Sequence, residues 1–228
     1  MQNLRNELQG SFLVFDGPDG AGKSSVRDWF ARHVKALFPD LPVVQVREPG
    51  GTEYGEQIRE LLLNYKPITG EPLHPRTEVL LFMAARQQLL ENVVCPELKK
   101  GALVLSDRFV SSTLAYQGTA GQVPVDDIIT VAKAVIPAWC WPKITVILDV
   151  TYEKARERMA KKPQELDRIE KRGRPYWELT RTGYLMQASR WPQYTLLVDA
   201  NAAESDVRQQ VLDKVTQRLR DLSNRIEG

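Results

Sequence analysis

The sequence predicts a three-layer α/β fold: a five-stranded parallel sheet with helices on both faces and a short basic lid. Two observations carry the sheet. Five short runs rich in Val, Ile, Leu and Phe are nearly continuous in apolar character, as strands covered on both faces are. They alternate with longer segments whose apolar residues recur at helical spacing, the rhythm of βαβ units. Length supplies the rest: 228 residues is about one and a half times a typical domain of ~150. That favours a single domain, 1–228, carrying an insertion at about 154–174.

The strands fall at 12–15, 43–46, 102–106, 144–149 and 195–198. Between the first two, 24–38 reads as a helix that stops at Pro39, because proline lacks the interior donor and restricts the residue before it. A second helix is expected over 53–63 and a third over 76–98, where Leu80, Leu81, Ala84 and Ala85 form an apolar stripe until Pro96 interrupts it. A fourth covers 126–135 and closes at Pro137. Residues 137–142 hold Trp139 and Trp141 between prolines and read as an apolar turn against the sheet edge. In the tail, Val207, Val211, Val215, Leu219 and Leu222 recur at steps of four and three, the pattern of an amphipathic helix on the core. The first ten residues are unassigned, a mobile lead-in.

Composition removes several classes. With 43% hydrophobic and 26% charged residues, no long apolar run and no secretory signal pattern, membrane-spanning and fibrous readings drop out. Thirty-one Lys and Arg against 29 Asp and Glu leave +2, too near balance for a nucleic-acid scaffold. The charge is unevenly placed, however. Residues 154–174 carry nine Lys and Arg against four Asp and Glu, a net of +5. Such a stretch reads either as a lid that closes over polyphosphate or as a solvated basic face, and it lacks the interleaved aromatics of a nucleic-acid platform. Cys95 and Cys140 lie far apart without CxxC spacing, so neither a zinc site nor a redox pair is signalled and a reducing, cytoplasmic home is expected.

The strongest chemical signal follows the first strand. Gly17-Pro18-Asp19-Gly20-Ala21-Gly22-Lys23-Ser24 matches the GxxxxGK[ST] phosphate loop. Its glycines permit close backbone approach, successive N–H groups converge on phosphate oxygens, and the next helix presents its positive end to the same anion. Lys23 would add a point charge over the β- and γ-phosphates and Ser24 a ligand for Mg²⁺. A tight turn alone would not call for Lys-Ser at those positions. The loop cannot by itself separate a small-molecule kinase from a motor or a switch GTPase.

Two further groups open toward the same edge of the sheet, and a third pair lies on a helix. Asp107-Arg108 ends the third strand, where Arg108 could hold phosphate and Asp107 could orient it or meet Mg²⁺ through water; an ion pair closing a loop is the alternative. Arg47 to Thr52 follows the second strand as an acceptor-pocket segment or a simple turn. Phe82 and Arg86 share a helix face, as a base platform with a reader of its edge, or as core packing with a salt bridge.

Taken in order, these segments resemble the bacterial type of thymidylate kinase, within the P-loop nucleoside-monophosphate kinases. The resemblance rests on the phosphate loop, Glu48-Pro49-Gly50-Gly51-Thr52, Phe82 with Ala85-Arg86-Gln87, and Asp107-Arg108-Phe109-Val110-Ser111-Ser112 leading to Ala115-Tyr116-Gln117-Gly118. It continues at Leu166-Asp167-Arg168-Ile169-Glu170, Tyr176-Trp177 through Arg181, Tyr184-Leu185 and Val198-Asp199-Ala200. It implies a P-loop kinase fold and transfer of a phosphoryl group from ATP-Mg²⁺ to dTMP.

By that resemblance ATP lies on Gly17 through Ser25, with Lys23, Arg108, Arg158 and Arg168 as the catalytic cations and Ser24 and Asp107 at Mg²⁺. The acceptor set is Asp19 near the sugar 3′-hydroxyl, Phe82 stacked on thymine, Arg86 and Ser112 at the base edge, and Tyr116 where a 2′-hydroxyl would crowd it; Glu48, Arg59, Arg108 and Gln117 complete it. Gly20-Ala21 stands where some relatives place an arginine, so the lid supplies the basic group, although Ala160-Lys161-Lys162-Pro163 replaces the usual Arg-Gly turn. A homodimer is implied, with no nucleic acid or membrane partner. Another deoxynucleoside-monophosphate or nucleoside kinase is the nearest alternative, and a regulatory P-loop NTPase acting on a protein partner the alternative from another class.

Overall fold

The computed structural model describes residues 2–161 and 167–226. A helix α1 (Gln2–Leu8) leads into β1 (Phe12–Asp16), α2 (Lys23–Leu37), β2 (Val43–Arg47), α3 (Glu53–Leu63) and α4 (Pro75–Leu89). A π-helical segment, Leu90–Val94, joins α4 to α5 (Cys95–Lys99), followed by β3 (Leu103–Asp107) and α6 (Val110–Thr113). A second π-helical segment, Leu114–Ala120, precedes α7 (Val125–Val135) and β4 (Ile144–Asp149). The chain closes with α8 (Tyr152–Ala160), α9 (Gly173–Arg190), β5 (Thr195–Asp199) and α10 (Glu204–Ile226).

The five strands form one parallel sheet in the order β2-β3-β1-β4-β5, as expected. Alternation along β1 divides the core. Leu13 and Phe15 face α2 and α10 among Phe30, Val34, Val207, Val211 and Val215, whereas Phe12 and Val14 face α4 and α7 among Met83, Leu89 and Ile128. Four of the five strands run one residue beyond the expected end or start, and each gains a charged last residue: Asp16, Arg47, Asp107 and Asp199. Apolar character marks where a strand is covered. The charged residue that ends it sits at the carboxyl edge, where open α/β sheets bind ligands.

Several expectations are corrected. Pro96 does not break the third helix: the backbone stays helical from Pro75 to Lys99, and the π-helical segment just before the proline, with Cys95 N–H on the Leu90 carbonyl, takes up the mismatch. The buried face of α4 holds Glu78, Val79, Met83, Ala85, Arg86 and Leu89, while Leu80 and Ala84 are exposed. Two charges inside that face hide its periodicity. The lead-in is helical, with Leu8 buried and Glu7 paired to Lys143. Trp141 packs edge-on to Phe109 rather than at the sheet edge, since β4 is an interior strand, and Trp139 stands half-exposed under Lys99.

Cys95 and Cys140, remote in sequence, bring their sulfurs within 2.6 Å as free thiols in the core. Of the basic stretch, residues 154–160 lie in α8 and 173–174 begin α9, with a short turn of 3-10 helix over Glu170–Arg172 between them. Lys162, Pro163, Glu165 and Leu166 of that stretch lie outside the described residues.

Candidate active site

β1 ends in the middle of the sheet and hands the chain to the phosphate loop. Gly17 (φ 140°) and Gly20 (φ 85°) are demanded by close packing as well as by backbone conformation: a Cβ would lie 2.4 Å from the Leu148 carbonyl oxygen at the first and 2.7 Å from the Ala155 carbonyl oxygen of α8 at the second. Gly22 starts α2 with no side-chain cap, which leaves the N–H groups of its first turn free of side-chain partners. Lys23 begins that turn. Its Nζ donates to the Pro18 carbonyl (3.0 Å) and lies 3.7 Å from Asp19 Oδ1. Burial, reinforced by the Arg108 charge, lowers the Lys23 pKa from its ordinary value against the pull of Asp19, Asp107 and Asp16.

Beside the loop, Ser24 Oγ donates to Asp107 Oδ2 at 2.5 Å. Arg108 follows with φ 75°, a conformation uncommon for a side chain of this size. It is pinned there by its own N–H to the Phe15 carbonyl and by Ser106 Oγ to its carbonyl. Its guanidinium donates to Asp19 and to Ser112 Oγ (3.1 Å) and lies 5.1 Å from the Tyr116 ring centroid. Tyr116 in turn donates to Asp19 Oδ2 (2.7 Å). Burial alone would raise the Asp19 pKa, but the Arg108 and Lys23 charges with the Tyr116 bond hold it below the ordinary carboxylate value.

A cleft of about 570 Å³ opens in front of these groups, lined by Asp19, Lys23, Ser24, Arg108, Phe82 and Tyr116 among others. Glu48, Arg59, Asp107, Ser112 and Gln117 also reach it. Thr52 caps α3 by accepting from Gly55 N–H, so the EPGGT segment turns the chain from β2 into a helix while Arg59 holds the Pro49 carbonyl (3.0 Å). Arg86 sits behind the cleft, fully buried, with Nε and Nη2 on Glu48 Oε2 at 2.8 and 2.7 Å. Burial nevertheless pushes the Glu48 carboxyl above its usual value.

The structure does not bring every expected residue to the phosphates. Arg158 turns to main-chain carbonyls, donating to Ala200 (2.8 Å), Ala21 (3.4 Å) and Gly20 (3.5 Å), and so braces the phosphate loop from behind. Arg168 points away from the loop, with Nε on the Leu62 carbonyl (2.9 Å) and Nη1 on Glu78 (2.8 Å). Ser25 is exposed and reaches Glu204 (3.3 Å). Both arginines face acceptors remote in sequence, beyond the reach of a local motif.

Sequence reasoning missed Asp16. Fully buried, it accepts from Gly17 N–H (2.9 Å), Ser111 Oγ (2.5 Å), Ser112 Oγ (2.7 Å) and Tyr184 OH (2.6 Å), tying the phosphate loop, the segment after β3 and α9 together. The available signal was an acid ending an apolar strand directly before the loop. Asp167, Ile169 and Glu170 also line the cleft, and Glu78 was unread because it lies within an apolar helical pattern.

A phosphate loop at the carboxyl edge of a parallel sheet, facing a walled pocket large enough for a second small molecule, defines a P-loop phosphotransferase. The thymidylate kinase family model matches residues 15–211, and the chain belongs to that family. It is 40% identical over 205 residues to the thymidylate kinase of Pelotomaculum thermopropionicum (90% of this chain, 92% of that protein) and 38% identical over 208 residues to that of Cupriavidus necator (91% and 98%). The crystal structure of the Ehrlichia chaffeensis thymidylate kinase superposes with a TM-score of 0.70 at 25% identity, covering 91% of this chain and 98% of that one.

Proposed function

We infer that the protein transfers the γ-phosphoryl group of ATP to dTMP, yielding dTDP and ADP for deoxynucleotide synthesis. One observation carries the reading: the phosphate-loop Lys23 and the acceptor walls Phe82 and Tyr116 open into one cleft in a chain of this family. A regulatory NTPase has no need of that second compartment. An acceptor phosphate oxygen attacks the γ-phosphorus of ATP, the bond to the β-bridging oxygen breaks, and ADP leaves. A phosphate monoester is largely ionised near neutral pH, so the attack requires no dedicated base. Lys23 and Arg108 stabilise the charge on the moving group.

Mg²⁺ fits the donor set here: a hydroxyl and a carboxylate, Ser24 and Asp107, lie together beside Lys23, and Mg²⁺ takes one or two such hard oxygens with substrate phosphates and water. When bound it neutralises charge on the β- and γ-phosphates. Phe82 stacks on the thymine, Tyr116 crowds a 2′-hydroxyl, Asp19 meets the 3′-hydroxyl and Ser112 the base edge. Glu48 reaches the cleft with Arg86 paired behind it, Gln117 and Arg59 complete the wall, and the basic stretch 154–174 serves as the lid, with Arg158 acting through the loop carbonyls it holds.

Incubation with ATP-Mg²⁺ and, separately, dTMP, dUMP, dCMP, dGMP, dAMP and UMP tests the assignment. dTDP should be the principal product; its absence with folded, ATP-binding protein sinks the reading, and turnover of several acceptors preserves the reaction class but not the specificity. Phe82→Ala should raise the KM for dTMP roughly 5- to 150-fold, the equivalent of about 1–3 kcal/mol of base stacking, and leave the KM for ATP within about twofold. Unchanged dTMP kinetics would remove Phe82 as the platform.

The alkaline limb of kcat/KM for ATP should lie below pH 10.5, because the Lys23 pKa is lowered from that value. Asp19→Asn removes a charge that holds the ammonium on, so it should move the limb further down; an upward move refutes the assignment.

We further propose a cytoplasmic homodimer packed through the exposed Leu80 and Ala84 face of α4. Among the described residues no helix is long and apolar enough to cross a membrane. Sedimentation velocity should give twice the chain mass, and a monomer would reject the dimer.

A further inference from the structure

Glu78 is the first of three residues, Glu78, Phe82 and Arg86, spaced one helical turn apart on α4. Its carboxylate is wholly excluded from solvent yet carries three donors from two other segments. Oε1 receives Arg168 Nη1 (2.8 Å) and Arg172 Nη2, and Oε2 accepts from Gln117 Nε2 (2.9 Å). Nothing in the chemistry of phosphoryl transfer calls for an acid at this depth.

The segment it grips folds by its own rules. Asp167 Oδ1 accepts from Ile169 N–H (2.8 Å) and Glu170 N–H (2.9 Å), and Glu170 Oε2 accepts from Asp167 N–H (2.9 Å), a reciprocal turn. The turn directs Asp167, Ile169 and Glu170 to the cleft and sends Arg168 the other way. Among the described residues, the ion pairs of 167–172 all converge on Glu78. From Arg172 the connection continues: Nη1 donates to Tyr176 OH (2.7 Å), which donates to the Tyr116 carbonyl (2.7 Å), and Tyr116 OH reaches Asp19 of the phosphate loop. The same carboxylate therefore fixes one wall of the cleft against the helix that bears the base platform.

We propose that Glu78 is a positioning residue, a latch that holds the 167–172 turn at a set distance from Phe82 and so shapes the acceptor pocket. The alternative is a buried ion pair that merely adds to global stability. Buried pairs are poor at that, because desolvation offsets much of the attraction; a local role is the better use of a carboxylate with two guanidinium partners.

The acceptor-pocket part rests on the proposed function, and the test separates the two. Hydrogen exchange on the substrate-free protein should show Glu78→Gln losing about tenfold or more protection at the amides of Arg168, Lys171 and Arg172, with β1 and β3 amides changed less than about twofold. Those three amides bond to the Leu63, Asp167 and Ile169 carbonyls. Arg172→Gln, which leaves Glu78 paired with Arg168, should show the same local loss in smaller degree and decides the matter if Glu78→Gln does not fold. Both variants should raise the KM for dTMP about tenfold with kcat changed less than about threefold, and Arg172→Lys should recover most of it. Unchanged protection at 167–172, or equal loss across β1 and β3 in Arg172→Gln, overturns the latch. Normal dTMP KM in a variant with local loss overturns its role in the pocket, whereas a wild-type protein that makes no dTDP rejects the proposed function and leaves the exchange result to judge the latch.

Discussion

Replacing Lys23 by alanine should lower kcat for phosphoryl transfer by roughly 10²- to 10³-fold, the loss expected when one preorganised donor to a developing charge is removed. Lys23 stands at the first position of α2, at the mouth of the cleft yet largely shielded from water, where a charge acts with little screening. Its absence leaves Asp19 still paired with Arg108, so the acceptor wall should keep its geometry and the KM for dTMP should move less than about threefold. Steady-state rates with each substrate varied separate the two effects. Equal turnover by the variant would reject the role of Lys23, and a rise in the dTMP KM with unchanged kcat would place it on the wrong substrate.

The features legible in the sequence were those whose signal is local. A run of apolar residues is long enough to announce β1, and the eight residues after it announce a phosphate loop, because both depend on neighbours within one turn or strand. Depth within the fold was legible only where it was apolar. Arg86 and Glu78 are buried on α4, but their partners, Glu48 and the pair Arg168 and Arg172, lie 38 to 94 positions away, so nothing in the helix itself distinguishes them from surface charges. The direction of a long cation is least legible of all. Arg158 and Arg168 carry the right chemistry for phosphate, yet each ends on carbonyls or a carboxylate that only the folded chain brings near. Helix α8 was hidden for a related reason: its apolar contact with the core comes down to Ala155, against which Gly20 packs.

Arg108 joins these levels, since its fork holds Asp19 and Ser112 while its central carbon lies over the Tyr116 ring. Arg108→Ala should lower kcat/KM for dTMP by about 10³-fold or more, since it removes a transition-state cation and unties the acceptor wall together. It should also cost about 2–3 kcal/mol of stability, less than for a fully enclosed pair because the arginine is 22% exposed. The pH dependence contributed by Asp19 then weakens. In the native protein its lowered pKa contributes stability that is present above the unfolded value and lost as pH falls through the folded one. Without Arg108 the largest charge opposing burial is gone, so the folded pKa rises from its native position and the stability lost on acidification through Asp19 should shrink. Arg108→Lys distinguishes charge from shape: an ammonium restores most of the acid-side stability but lacks the planar fork that bridges Asp19 and Ser112. Its kcat/KM should remain at least about tenfold below wild type, and full recovery by lysine would show that position 108 needs only a positive charge.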